Sequence, residues 1–275
     1  KEITQNAEKA GVEMKRFYVK KPDISLINLV NCRMVMLSDI SVTQSPFWSV
    51  HMALCTYVVI QHISVLSSLE KGVNSDGIDL NSCKNVFIQN CLVETGDDGI
   101  VIKSRHTEPS ENIIVKHCTV SSSSTALKLG TESFGDFRNI TFDSCSIPNT
   151  NRGLSIVVRE GGTAENISFS NIDMNCSRRH FNWWGNADPI WIYLTLKKPD
   201  SDTGMIQSVQ FKNIVANGMG TSKIESTVGN RIKDITFDNV RLNMFHEDYA
   251  DKRATDAIYI EHVDGLVLKD VSIQW

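Results

Sequence analysis

Several features are missing from this chain of 275 residues, and each absence excludes a class of protein. Basic residues are not in excess: 28 Lys and Arg against 32 Asp and Glu leave a formal charge of -4 and a pI near 6.0. Binding to a phosphate backbone asks for a clustered basic face, so nucleic acid is not an expected partner. No apolar run approaches the roughly 18 residues that a membrane-spanning helix needs, and no membrane partner is expected. The first residues, KEITQNAEKAG, do not read as a basic and then apolar leader, which leaves the compartment open. Cysteine is present seven times, an odd number, but without CxxC or Cys/His spacing. That argues against both a dense disulfide framework and a zinc site. Helical periodicity is almost absent, apart from a hint near the N-terminus.

What is present is a repeat. A short pattern, roughly apolar-x-apolar-x-(Asn/Asp/Ser/His)-(Ile/Val/Cys), occurs nine times. It reads VMLSDI ending at Ile40, VVIQHI at Ile63, VFIQNC at Cys91, IIVKHC at Cys118, ITFDSC at Cys145, ISFSNI at Ile172, VQFKNI at Ile214, ITFDNV at Val240 and LVLKDV at Val271. The steps between these ends are 23, 28, 27, 27, 27, 42, 26 and 31 residues, so one unit takes about 27 and extra chain lies between Ile172 and Ile214. A recurring period of this size marks stacked coils. Within each unit, alternation rich in Ile, Val and Phe describes a strand with one buried face. Leucine-rich repeats would show a Leu ladder in units of about 20–29 residues, and propeller blades need about 40 or more. The spacing therefore predicts an all-β fold, a right-handed parallel β-helix of about nine coils. It would form a single domain over residues 1–275 with an inserted loop at 173–205. Because the rhythm runs to Trp275 without a polar cap, the chain is expected to be a fragment of a longer one.

The cysteines fall into two columns on this frame: Cys32, Cys55 and Cys83 shortly before the strands, and Cys91, Cys118 and Cys145 at their ends. Stacked positions of this kind suit small apolar side chains, so buried free thiols are expected rather than disulfides.

A second column carries charge. Counting back 20 residues from Cys118, Cys145 and Ile172 lands on Asp98, Thr125 and Arg152, which makes GDDGIVIK, SSTALKLG and TNRGLSIV equivalent strands. NSDGIDLN, one coil earlier, aligns by its own Gly-Ile and sets Asp76 above Asp98; NADPIWIY and ATDAIYIE bring Asp188 and Asp256 in or near the same column. Paired strands lie about 4.8 Å apart, so Asp76, Asp98 and the adjacent Asp97 share one small patch. Like charges this close repel, and at least one carboxyl is expected to hold its proton above the ordinary range. Hydrolysis of an acetal needs one protonated carboxylic acid and one carboxylate to activate water. The bland alternative is that these aspartates terminate strands and accept turn hydrogen bonds. Two acidic motifs in register on consecutive coils, each followed by Gly-Ile, favour function over that. A calcium site is a competing functional reading, since hard cations also seek clustered carboxylates.

The pair NSDGID and GDDGIVIKS resembles the Asn-Thr-Asp and Gly-Asp-Asp motifs of the polygalacturonase-like glycoside hydrolases of family 28, in the pectinase superfamily. SPFWSVH, LKLGTES and RGLSI fall where that family has counterparts, so the resemblance runs over nearly the whole chain. It implies that Asp97 is the general acid and that Asp76 and Asp98 hold and deprotonate the attacking water, with inversion at the anomeric carbon. The chain also departs from the family. Ser124-Thr125-Ala126 stands where Gly-His-Gly is usual, and Ser155-Ile156-Val157 where Arg-Ile-Lys is usual. The customary cations for a galacturonate carboxylate are thus replaced. Lys103, Lys128, Arg152 and Arg159 are the candidate substitutes, with Asn74 and Thr125 as further substrate contacts, although each cation alone could be a solvated surface charge.

Trp183 and Trp184, in HFNWWGNADPI, fall within the long 42-residue step and could wall the cleft as a platform for sugar faces, or simply pack the loop onto the coils. Trp48 and His51, one coil before Asp76, could shape a subsite. The leading expectation is an inverting glycoside hydrolase acting on a pectin-like or related acidic polysaccharide, secreted or periplasmic and without a cofactor. The substrate would be its one expected partner, and no oligomeric state is specified. A β-helix polysaccharide lyase, with Arg152 near Asp98 imitating its base, and a non-catalytic carbohydrate-binding solenoid are the alternatives.

Overall fold

The computed structural model describes residue 11 and residues 23–179, 184–246 and 254–275. Among these the regular structure is entirely strand, in 21 segments from Ile27–Val30 to Val263–Gln274, and their ladders are parallel. The hint of helical periodicity near the N-terminus lies largely outside the described residues. The chain winds as a parallel β-helix in which each coil gives one stretch of strand to each of three sheets. One register line counts the coils: Leu37, Ile60, Ile88, Val115, Phe142, Phe169, Phe211, Phe237 and Leu268 pair in succession. All but the two end members are fully buried or nearly so, and four of them are Phe rings stacked 4.9–5.3 Å apart inside the solenoid.

The repeat pattern has a backbone cause. Asp39, His62, Asn90, His117, Ser144, Asn171, Asn213, Asn239 and Asp270, the polar residues just before each Ile, Val or Cys end, all have φ between 52° and 56°. This left-handed corner turns the coil from one sheet to the next, and short polar side chains tolerate it best. The corner side chains also stack: the Asn213 amide donates to Asn171 at 2.8 Å and that of Asn239 to Asn213 at 2.9 Å. A second left-handed column escaped the pattern, with Asn85, Asn112, Asn139 and Asn166 at φ 55–57° and amide bonds of 3.1–3.2 Å between neighbours.

All seven cysteines are free thiols; six are buried and Cys32 is half-buried. The extra length expected as one inserted loop over 173–205 is divided. The strand Thr163–Cys176 runs into it, and Ile190–Leu194 forms a full strand paired between Ser146–Val158 and Ser222–Ser226. The excess sits before and after that strand.

Candidate functional site

The first sheet positions the acidic column. Its strands Val50–Ala53, Ile78–Asn81, Ile100–Ser104, Thr119–Ser133, Ser146–Val158, Ile190–Leu194, Ser222–Ser226 and Ile258–Ile260 lie in register. Just before them, the Gly77 amide donates to the Asp98 carbonyl at 2.9 Å, the Gly99 amide to that of Thr125 at 2.8 Å, and the Gly153 amide to that of Asp188 at 3.0 Å. Asp76, Asp98, Thr125, Arg152 and Asp188 therefore follow one another down the column, as the Gly-Ile alignment requires. Gly220 stands between Asp188 and Asp256, a coil that the alignment had skipped. The glycines permit the stacking: a Cβ on Gly99 would lie 2.4 Å from Val120 Cγ1 and 2.6 Å from the Ala126 carbonyl oxygen.

Asp76, Asp97 and Asp98 are 3–7% exposed and line one open cavity of about 470 Å³. Their partners differ. Asp98 accepts from Lys128 Nζ at 2.6 Å, from Ser124 Oγ at 2.9 Å and from the Thr125 amide at 3.3 Å. Asp76 accepts from Lys103 Nζ at 2.9 Å, and the same ammonium is paired with Asp79 one outward position along the strand. Among the described residues Asp97 has no cation as a partner: its Oδ2 accepts from the Asn74 amide at 3.1 Å and its Oδ1 from the Asp98 amide at 2.9 Å. Electrostatics separates them accordingly. Burial, then the charges of Asp76 and Asp98, push Asp97 well above the usual carboxylate range. Burial also acts to raise Asp98, but Lys128, Lys103 and the bond from Ser124 outweigh it and leave this carboxyl below its ordinary value. Asp76 is raised, by burial first, against the pull of Lys103.

The walls are aromatic and cationic. Trp48 lies under Lys103, whose Nζ is 4.1 Å from the ring centre. Arg152 stacks 3.8 Å from the centre of the Trp191 ring, and its Nε and Nη2 both donate to Asp188 Oδ2 at 3.1 and 3.0 Å. Trp184, 55% exposed, is tied to the coil stack through its carbonyl, which accepts from Asn151 Nδ2 at 2.9 Å. Arg159 also lines the cavity; its Nε is buried without a partner among the described residues.

Of the residues singled out from sequence, Asn74, Asp76, Asp97, Asp98, Lys103, Lys128, Arg152, Arg159 and Trp184 come together around this cavity. Thr125 is fully buried behind Asp98 and meets it through its amide. His51 lies one coil above Asp79 and behind Trp48, with its Nδ1 2.8 Å from Asn28 Oδ1. Burial and then Lys103, Arg105 and His106 push this imidazole down to about 4. Trp183 lies outside the described residues. Asp79, Ser124, Trp191 and Glu132 were missed. Asp79 and Trp191 were legible in principle, as the next outward positions of DGIDL and PIWIY; Ser124 and Glu132 carry no such signal.

A family model described as glycosyl hydrolases family 28 matches residues 9–244. Over 74 residues the chain is 38% identical to a probable polygalacturonase of Arabidopsis thaliana, covering 27% of this chain and 16% of that protein. Over 79 residues it is 34% identical to a probable polygalacturonase of Vitis vinifera, covering 29% and 16%. Among solved structures, an exopolygalacturonase from Thermotoga maritima superposes with a TM-score of 0.76 at 27% identity, over 99% of this chain and 61% of that one. The polygalacturonase from Erwinia carotovora shares the fold, with a TM-score of 0.68 at 21% identity over 94% and 64%. The chain thus spans about three fifths of the Thermotoga protein's length.

Proposed function

The chain belongs to glycosyl hydrolases family 28, and from that premise we propose that it is a glycosidase cleaving an acidic, pectin-like polysaccharide or oligosaccharide with inversion. The observation that carries this is the contrast between two neighbouring carboxyls in one cavity: Asp98 is paired with the Lys128 ammonium, whereas Asp97 accepts from the Asn74 and Asp98 amides. Asp97 has no cation as a partner among the described residues and is pushed up, which suits a general acid protonating the leaving oxygen. Asp98 is held down by Lys128 and, with Asp76, supplies the carboxylates that orient and deprotonate water. Inversion keeps acid and base about 6.5–9.5 Å apart across the sugar with room for that water.

An acidic sugar is favoured by Arg159. Of the four cations lining the cavity, Lys103, Lys128 and Arg152 are each committed to a carboxylate, whereas no side-chain partner occupies Arg159 among the described residues. A guanidinium takes a carboxylate through two parallel donors. In this reading Arg159 takes over from the Arg and Lys that the family customarily has at positions 155 and 157. Lys103 and Lys128 already supply positive charge to Asp76 and Asp98, which weakens the case for calcium there, and the pairing of Arg152 with Asp188 speaks against its serving as a lyase base. A reducing-sugar screen over pectic, rhamnogalacturonan, xylan and algal polysaccharides tests the proposal. Product that forms with the wild type and is lost with Asp97→Asn supports it. An ultraviolet-absorbing unsaturated product, or equal rates in the two, would overturn it. Arg159→Gln should raise KM for the carboxylated substrate about tenfold or more.

A further inference from the structure

Acid/base hydrolysis explains why three aspartates meet; it does not explain why a lysine is buried among them. Lys103 is 4% exposed, and its ammonium donates to Asp76 Oδ2 at 2.9 Å, to Asp79 Oδ1, and lies over the Trp48 ring. Asp79 is wholly buried, and its second oxygen has no partner among the described residues. An incompletely partnered buried carboxyl destabilises the fold, so this arrangement is retained against a cost. What it achieves is the fixing of a cation. A lysine on its flexible stem would otherwise reach for water. Pinned between Asp79 and an aromatic face, this one stays beside Asp76.

We propose that Lys103, anchored by Asp79 and Trp48, is a positioning residue that holds Asp76 as a carboxylate, so that the catalytic proton resides on Asp97 rather than on Asp76. The inference rests on the hydrolytic reading of the site. Every packed element contributes a charge to the balance. Asp76 and Asp79 face Lys103 from the coil above, Asp98 from the start of its own coil and Glu132 from the coil below. Lys128 lies beyond Asp98, Arg105 and His106 follow the lysine's own strand, and His51 sits above. His51 does not compete as a cation, because its imidazole is pushed down to about 4. Burial pushes Asp79 well above the usual carboxylate range against the pull of Lys103, an ammonium that it shares with Asp76. With Asp98 served by Lys128 and Asp76 by Lys103, neither lysine is left to pair with Asp97.

The test is a titration of the full chain labelled at the aspartate carboxyl carbons, with resonances assigned by single Asp→Asn changes. In the wild type Asp76 should titrate below Asp97. In Lys103→Met, and in Lys103→Gln should the first variant fold poorly, the midpoint of Asp76 should rise by about one pH unit or more, the effect of losing an adjacent opposite charge. The acidic limb of kcat should move up with it while KM changes little, and Lys103→Arg should restore the wild-type limb. Three results would overturn the proposal: Asp76 titrating above Asp97 in the wild type, a midpoint unmoved in the neutral variants, or one that moves equally in Lys103→Arg. Absence of turnover by the wild type would count against the hydrolase reading alone, because the titration needs no substrate.

Discussion

Replacing Asp97 by Asn should make the protein more stable as the pH rises, and the sign follows from the site. Burial and then the neighbouring charges of Asp76 and Asp98 raise the folded-state pKa of Asp97 well above its unfolded value. Between those two values the native state holds a proton that the unfolded state has released. The stability this gives is fully present below the unfolded value and is lost as pH rises through the folded one. The loss amounts to about 1.4 kcal/mol for each pH unit that the shift spans. Asparagine has no such proton to lose. It keeps one acceptor for the Asp98 amide but gives up the Oδ2 bond from the Asn74 amide, a pH-independent cost of about 1 kcal/mol. The informative quantity is therefore the change in the difference between the two proteins, not its value at one pH. Urea unfolding of wild type and Asp97→Asn at pH 4, 6 and 8 measures it. The variant should start level with or slightly below the wild type at pH 4 and gain on it toward pH 8. A difference that stays constant, or that runs the other way, would refute the assignment of Asp97 as the proton-holding carboxyl.

Other expectations follow from the packing. Phe169 is fully buried between the rings of Phe142 and Phe211, at 5.0 and 5.3 Å, and Phe169→Ala should cost about 3–5 kcal/mol in urea unfolding; a cost below about 1 kcal/mol would mean that the stack does not support the coils. Gly99→Ala places a methyl group against Val120 and the Ala126 carbonyl, so it should cost about 1–3 kcal/mol and also depress hydrolysis by displacing Asp98. Burial pushes the Cys83 thiol up to about 12, and the other five buried thiols are no more than 4% exposed, although bonds with Cys118 pull Cys91 and Cys145 down. A thiol reagent at neutral pH should therefore label Cys32 alone in the native protein and the remainder only on unfolding, whereas rapid native labelling of several thiols would contradict the interior columns.

Much of this was legible in the residues themselves. The nine polar-apolar pairs ending at Ile40, Cys91 or Val240 gave the coil count because each polar member occupies a left-handed corner that few residue types accept. The Asp-Gly-Ile repeats placed Asp76 over Asp98 because a Cβ at Gly77 or Gly99 would press on the neighbouring coil. The commitments of the cations were not legible. Lys103 reaches Asp76 and Asp79 on the coil above, and Lys128 reaches Asp98 across its own coil boundary. Such choices depend on side-chain direction and burial, which strand periodicity does not specify. The outward position of Asp79 could be read from DGIDL, but not its complete burial beside Lys103.

The central claim, that these aspartates invert a glycosidic bond, is tested most directly by following the anomeric protons of fresh product from a pectic oligosaccharide by NMR in heavy water. The account predicts that the first product formed has the anomeric configuration opposite to that of the bond cleaved, before mutarotation sets in, and that Asp97→Asn forms none of it on the same timescale. A first product with retained configuration, or one bearing an unsaturated ring, would contradict it.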